Sequence, residues 1–147
     1  ISNYYSTINN KTKFYNIKFY ESFGDNDTRN KIIPTIINNY KKNIVTKVIS
    51  KKLSLNIIHT DDIINSIMIL INHNIKSGNY CIKNTHNIKI SGLINNLNKS
   101  LNKKIKVKYG NKPIDSINHT SLKILPKWKP NKNLEKRIIS TFEYETT

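Results

Sequence analysis

The 147-residue sequence predicts an α/β fold. Short alternating stretches rich in β-branched and aromatic residues take turns with helical apolar stripes, and tight hairpin signals between them are few. The length is that of one ordinary core, with about two-thirds of the unfolded surface removed from water on folding.

In chain order, Ile1, Tyr4, Tyr5 and Ile8 fall at helical spacing and stop at Asn9-Asn10, so residues 1–12 read as the last turns of a helix. Residues 13–24, KFYNIKFYESFG, alternate and are expected to form one strand ending at Gly24. DNDTRN is turn-rich, and NKIIPTIINNYKKN follows as a helix with Pro34 in its first turn, where a missing N–H costs little. IVTKVISKK is a strand candidate, with LSLNIIH a short extended segment after it. From Asp61, the residues Ile63, Ile64, Ile67, Met68, Leu70 and Ile71 make a helical stripe to about His73. SGNYCIKN reads as a turn and strand, and Ser91 as the N-cap of a helix carrying Leu93, Ile94, Leu97 and Leu101. KKIKVKYG alternates as a strand. The tail is expected to hold a short helix around Thr120 to Leu125, the turn PKWKP, and a last helix from Asn133 to about Phe142.

A net charge of +16 and a pI near 9.9 invite a nucleic-acid partner. The chain, however, holds 24 Asn, 27 Ile and 23 Lys beside two Arg, Arg29 and Arg137, a bias that AT-rich coding would yield. Part of the lysine excess therefore reads as drift on solvated faces. No zinc-finger spacing, aromatic strand motif or Arg-rich patch points to nucleic acid, and none is expected as a partner. A small basic RNA- or ribosome-binding protein stays as the alternative from another class. Cys81 is the single cysteine, which excludes an internal disulfide and fits a reducing compartment. The longest nearly apolar run, Ile63 to Ile71, is interrupted by Asn65 and Ser66 and falls short of the roughly 20 residues of a membrane span. No signal-peptide pattern opens the chain, so a soluble cytoplasmic protein without membrane contact is expected.

Residues 56–67, NIIHTDDIINSI, place His59, Asp61 and Asp62 between apolar runs and allow two readings. A metal site needs three or four ligands, and His73, His86 and His119 are scattered singly, so no metal is expected. Helix capping accounts for the acids: Thr60 or Asp61 as N-cap contributes about 1 kcal/mol, and Asp62 in the first turn about 0.3 to 1 kcal/mol through the helix dipole. The loop GDNDTRNK, Gly24 to Lys31, lies between a strand end and a helix start, where open α/β sheets hold anionic ligands. Asn30 and Lys31 would aim donors at a phosphate; an ordinary solvated loop is the equal reading. Glu21 sits in an aromatic strand, where a carboxylate is costly to bury unless paired or facing a cleft. Trp128 could stack on a base or anchor the terminal turn, the commoner outcome. Gly24, Gly78, Gly92 and Gly110 are isolated, and no Tyr is followed four residues later by Lys, so no catalytic residue is assigned in this chain.

Four of these pieces, in this order, resemble the carboxyl-terminal half of the extended short-chain dehydrogenase/reductases, the sugar-nucleotide epimerase and dehydratase family. They are IKFYESFGDND, NIIHTDDIINSI, SGNYCIKNTHNIKIS and ILPKWKPNKNLEKRIISTF, and the resemblance covers roughly residues 13–142. KFYESFGDNDTRNKIIP with SLNIIHTDDIINSI is most similar to members that reduce C4 of a CDP-4-keto-3,6-dideoxyhexose with NADPH for O-antigen synthesis; 4-epimerases and dehydratases of the family are the nearer alternatives. The resemblance implies a Rossmann-type chain with a small α/β substrate-binding subdomain. Residues 1–24 would carry the last helix turns and a late strand of the Rossmann part. Residues 25–147 would be mainly the substrate part with late Rossmann elements interleaved. It implies that Phe19 and Tyr20 pass the nicotinamide of NADP or NAD, that Glu21 faces substrate, that Asn30 and Lys31 start the helix contacting the diphosphate, and that Val48 and Ile49 flank the nucleotide base. The family's Gly-rich loop and Tyr-x-x-x-Lys pair would lie upstream, so this chain by itself is expected to be inactive, and the full-length protein a homodimer binding a nucleotide sugar. Leu55 and Ile114 stand where the family often has Arg, leaving Lys31, Lys51, Lys52 and Lys112 as substitutes that offer a point charge and no fork.

Overall fold

The computed structural model describes residues 12–113, 122–131 and 133–144. Among the described residues, four of the five strand pairings are parallel. β1 (Tyr15–Phe19), β6 (Gly78–Ile82) and β9 (Lys123–Ile124) form one sheet in the order β1-β6-β9, with Tyr15 opposite Gly78 and Tyr80 opposite Lys123. β2 (Glu21–Phe23) pairs with β5 (Ile57–His59), and β3 (Thr46–Val48) with β8 (Val107–Tyr109). β4 (Ser54–Leu55) and β7 (Ile88–Lys89) run antiparallel, as does an isolated bridge between Ser50 and Asn111. Parallel pairs need long crossovers, and these are α1 (Ile32–Lys41), α2 (Thr60–Asn72) and α3 (Ile90–Ser100); α4 (Leu134–Tyr144) closes the described chain.

Residues 13–24 are two strands in two sheets, and the expected single strand is broken at Tyr20. The cause lies in the partners: β1 is paired as far as Phe19 with Ile82, while the Glu21 N–H donates to Asn56 O at 3.1 Å and turns the chain onto β5. Two buried clusters result. Ile33, Ile36 and Ile37 of α1, Leu93 and Leu97 of α3, and Ile138 and Phe142 of α4 fill the first; Ile58, Ile75, Ile82, Leu125 and Trp128 fill the second. β5 joins them, because successive strand residues face opposite ways and Ile57 enters the first cluster while Ile58 enters the second. Asn56, just before β5, is buried yet satisfied: its Nδ2 donates to Asn84 O (3.0 Å) and Asn87 Oδ1 (3.1 Å), and its Oδ1 accepts from the Asn84 N–H (2.7 Å).

The junction after β5 is a helix start, as capping energetics favoured, but the cap is His59 and neither Thr60 nor Asp61. His59 Nδ1 accepts from the Asp61 N–H at 3.2 Å while Asp62 Oδ2 accepts from the His59 N–H at 3.3 Å, a reciprocal capping box. An accepting Nδ1 assigns the ring proton to Nε2. Arg137 Nη1 reaches the same Nδ1 at 3.1 Å and Asp61 Oδ2 at 3.2 Å, and Trp128 Nε1 donates to Asp62 O at 2.9 Å. Trp128 is therefore the anchor of the terminal turn.

Three other expectations change. Ser91 is no N-cap: α3 starts from Lys89 without a side-chain cap, and the Ser91 hydroxyl donates to Lys51 O at 3.2 Å. In the described part of Thr120 to Leu125, Lys123 and Ile124 form strand β9 by pairing with β6; residues 120 and 121 lie outside the described residues. The proposed helix over residues 1–12 also lies outside them, save for Thr12.

His59→Ala is expected to lower unfolding free energy by about 1 to 2 kcal/mol, with Asp61→Ala costing less, as read from urea midpoints. Cys81 is fully buried and its thiol pKa is raised by that burial, while its Sγ donates to Leu122 O at 3.3 Å. Its reaction with an aromatic disulfide at pH 8 should be more than about tenfold slower in the native protein than in urea. A native rate equal to the unfolded one would show that the sheet opens there.

Candidate functional site

The end of β2 sets up the first half of the site. Gly24 packs so tightly on the start of α2 that a Cβ would stand 2.8 Å from Thr60 Cγ2, and any other residue would force the Thr60 side chain to move. The chain then turns through Asn26, whose φ of 57° is a left-handed conformation that Asn tolerates. Asp27 accepts from the Arg29 N–H (3.1 Å), Nε (2.7 Å) and Nη2 (2.6 Å), a charge-assisted fork. The Arg29 guanidinium continues to Ser22 O at 3.3 Å, tying the loop back onto β2. This hydrogen-bonded guanidinium holds the Asp27 carboxyl below its ordinary pKa, against the opposing effect of burial.

Beyond the fork, the Lys31 ammonium lies 3.8 Å from Glu21 Oε1, so the structure brings together two of the residues singled out in the sequence. Glu21 is partly exposed and paired, which resolves the cost of a carboxylate in that strand. Lys31 is the N-cap of α1, makes no side-chain cap bond, and no acid follows in the first turn. Asn30 Oδ1 accepts from Thr35 Oγ1 at 3.5 Å. Asn30 also lines a depression of about 550 Å3 with Asn26, Arg29, Thr35, Asn38 and Lys41.

The ends of β3 and β8 form a second groove. Gly110 N–H donates to Val48 O (2.8 Å) and Lys112 N–H to Ile49 O (3.2 Å); a Cβ on Gly110 would stand 2.7 Å from Ile49 O, so glycine keeps the two strand ends in register. Val48 is buried and Ile49 half exposed, and both line a groove of about 490 Å3 with Lys47, Lys108, Tyr109 and Lys112. Burial raises the Tyr109 pKa, so its phenol stays neutral and can donate. Asn30 thus falls in one depression, and Val48 with Ile49 in another. Phe19, 39% exposed, and Tyr20, whose ring faces the Lys18 ammonium at 5.4 Å, lie at the carboxyl end of β1 where the chain leaves the sheet. Of the lysines expected to replace the two Arg, Lys31 and Lys112 adjoin these features, while Lys51 and Lys52 sit exposed in a turn. Among the described residues no three His, Cys, Asp or Glu come together as a metal site, and no helix is long and apolar enough to cross a membrane.

No family model matches the chain. Its likeness to solved structures is extensive. The UDP-N-acetylglucosamine 4-epimerase of Methanobrevibacter ruminantium M1, in complex with UDP-N-acetylmuramic acid, superposes with a TM-score of 0.78 at 16% identity over 98% of this chain and 50% of that one. The UDP-glucuronic acid 4-epimerase of Bacillus cereus, in complex with UDP-glucuronic acid and NAD, gives 0.72 at 13% identity over 87% and 43%. The α/β fold of this chain thus matches about half of each of these extended short-chain dehydrogenase/reductase structures. The chain spans about half the length of these solved neighbours. Among curated proteins, the CDP-abequose synthase of Yersinia pseudotuberculosis is 37% identical over 68 residues, 46% of this chain and 23% of that protein.

Sequence reasoning missed the Asp27–Arg29 fork and the reach of Arg137 to His59. One signal was available: in a chain with 23 Lys, each of its two Arg stands where several donors are used at once. Because the folded Asp27 pKa is depressed, its contribution to stability is full above the unfolded carboxylate pKa and is lost as pH falls through the folded value. Asp27→Asn should remove that acid-side loss, with an effect at neutral pH of up to about 1 kcal/mol for so exposed an arginine. Denaturation midpoints of the two proteins at pH 7 and pH 3 measure it, and equal slopes with pH would contradict the fork's role.

Proposed function

We propose that this chain is the substrate-binding half of an NAD(P)-dependent sugar-nucleotide oxidoreductase that reduces C4 of a CDP-4-keto-3,6-dideoxyhexose. The observation that carries the reading is the 68-residue, 37% identical match to a CDP-abequose synthase, in a chain whose fold is half of a sugar-nucleotide 4-epimerase. The expected division, with residues 1–24 on the Rossmann side and 25–147 mainly on the substrate side, belongs to this proposal.

Each group of residues has a role in it. Lys31, freed from Glu21, and Asn30 bind the diphosphate, with Lys112 as a second cation; Glu21 accepts a sugar hydroxyl. Ile49 and the edge of Val48 cover one face of the base. Phe19 and the half-buried Tyr20 next to it suit a nicotinamide, because the exposed Phe19 ring at the carboxyl end of a parallel strand offers a flat apolar surface at the usual ligand edge of such sheets. When bound, NADP or NAD supplies the hydride. The proton donor is a Tyr-x-x-x-Lys pair outside these 147 residues. A 4-epimerase is the second reading, favoured by the solved neighbours' chemistry.

The DNA preceding the Ile1 codon is expected to encode, in frame, Tyr-x-x-x-Lys; a frame without it would overturn the proposal. A polypeptide including that segment should oxidise NADPH only with a CDP-4-keto sugar. In it Lys31→Ala and Lys112→Ala should each raise KM about tenfold with kcat little changed, because the diphosphate does not react. Interconversion of C4 epimers with no net NADPH use would select the epimerase.

A further inference from the structure

The chain leaves α1 at Lys42, turns through Asn43 with a left-handed φ of 56°, and enters β3 by way of Ile44 and Val45, which are 51% and 47% exposed. This aliphatic tip is held firmly. Asn39 O accepts from the Ile44 N–H (2.8 Å), Tyr40 O accepts from the Asn43 N–H (3.1 Å), and Asn39 Nδ2 donates to Thr46 Oγ1 (3.1 Å). The start of β8 lies beside it: the Thr46 N–H donates to Lys106 O at 2.8 Å, and the parallel register, continued one residue back from Thr46 opposite Val107, sets Val45 beside Lys106. Thr46 is buried, so strand alternation turns Val45 to solvent, where Lys106 is also exposed. The Ile105 N–H donates to Asn98 Oδ1 at 2.7 Å, which fixes the approach through Lys103 and Lys104.

The surroundings of the tip are basic. Lys42, Lys103, Lys104 and Lys106 are exposed, and among the described residues none of them forms an ion pair. Residues 28–60 and 63–113 contain no Asp or Glu, and the adjoining α4 brings Glu143 toward this end, next to the Phe142 ring that packs edge-on against Tyr40. Coding bias raises the number of lysines; it does not gather them around a fixed aliphatic tip.

We propose that this tip docks on the surface of an anionic lipid bilayer, with Ile44 and Val45 entering the headgroup layer and the four lysines meeting lipid phosphates. Adjacent aliphatic side chains suit the acyl boundary, and lysine stems lie along apolar surface while their ammonium groups reach outward. Single-stranded nucleic acid would call for exposed aromatic rings and Arg at the tip, whereas Arg29 and Arg137 are engaged elsewhere. Surface contact needs no spanning helix, so it is compatible with the lack of one among the described residues, although the sequence led to no membrane contact being expected. With one short apolar tip the contact is reversible and depends on charge. The tip stands at the amino-terminal ends of β3 and β8 and the Val48–Ile49 groove at their carboxyl ends, so the inference does not rest on the proposed activity.

The test uses the 147-residue chain and sedimented vesicles. Equimolar phosphatidylglycerol and phosphatidylcholine should carry the protein down in dilute buffer, pure phosphatidylcholine should not, and about 1 M salt, where screening acts over about 3 Å, should release it. Lys104→Glu with Lys106→Glu should weaken binding at least about tenfold. Lys76→Glu with Lys123→Glu, the same change of charge at exposed positions beside the β1-β6-β9 sheet, should weaken it less than about threefold. Circular dichroism checks that each variant is folded. Since Cys81 is buried, Val45→Cys offers one accessible thiol for a polarity-sensitive fluorophore, whose emission should shift blue on the anionic vesicles while the same label on Ile71→Cys does not. Absence of vesicle binding in dilute buffer would overturn the proposal. So would equal losses in the two charge-reversed variants, or no blue shift from Val45→Cys. Polyuridylate binding tighter than vesicle binding, and lost with Lys104→Glu and Lys106→Glu, would also overturn it and assign the lysines to nucleic acid.

Discussion

Strand β5 is dry on both faces, and most of the molecule depends on that. Ile57 and Ile58 are both fully buried, one in each hydrophobic cluster, so the strand has no solvated side along which to slip. A register shift by one residue would exchange the clusters' contents and carry His59 away from the helix it caps. The backbone is pinned as well: Asn56 before the strand binds the loop through Asn84 and Asn87, and His59 at its end closes the capping box. A buried asparagine with three such bonds and a buried histidine whose backbone N–H and Nδ1 are both engaged are tolerable because these polar groups find partners.

From that strand the constraint passes outward to the candidate site. β2 is parallel to β5 and takes its register from it, with Phe23 opposite His59 and the two rings edge to face at 5.0 Å. The end of β2 is then forced against Thr60 at Gly24, and the loop that follows is tied back by Arg29 to Ser22. Lys31 and Glu21 consequently meet at the mouth of this unit although ten positions separate them in the chain. Their position is thus a result of the packing of β2 on β5.

Most helices were legible because their apolar spacing is regular: α1, α2, α3 and α4 lie within a few residues of where Ile36, Ile63, Leu93 and Ile138 place them. What was not legible depends on partners distant in the chain. Alternation runs unbroken through Tyr20, and only the competing bonds from Asn56 and Ile82 show that one stretch serves two sheets. Histidine is an uncommon helix cap, and the Nδ1 that caps α2 is also approached by Arg137, seventy-eight positions later, which local sequence does not reveal. Ser91 lost its expected role because the Lys51 carbonyl is close enough to take its hydroxyl proton. At the candidate site, residue types pointed to Glu21, Asn30 and Lys31, while the Asp27–Arg29 fork that shapes their loop is a geometric fact about a turn and leaves no periodic trace.

The predominance of parallel pairing has a kinetic consequence. Tyr15 finds its partner at Gly78 and Thr46 at Val107, so β1 and β3 remain unpaired until most of the described chain has been synthesised. Chains whose native contacts are so distant in sequence collapse first and pair late, on timescales nearer milliseconds to seconds than microseconds. During that interval, aromatic β1 and the isoleucine-rich β5 are open to association with other nascent chains. Yield on expression should therefore be governed by the rate at which these strands are enclosed, more than by the stability of the finished fold.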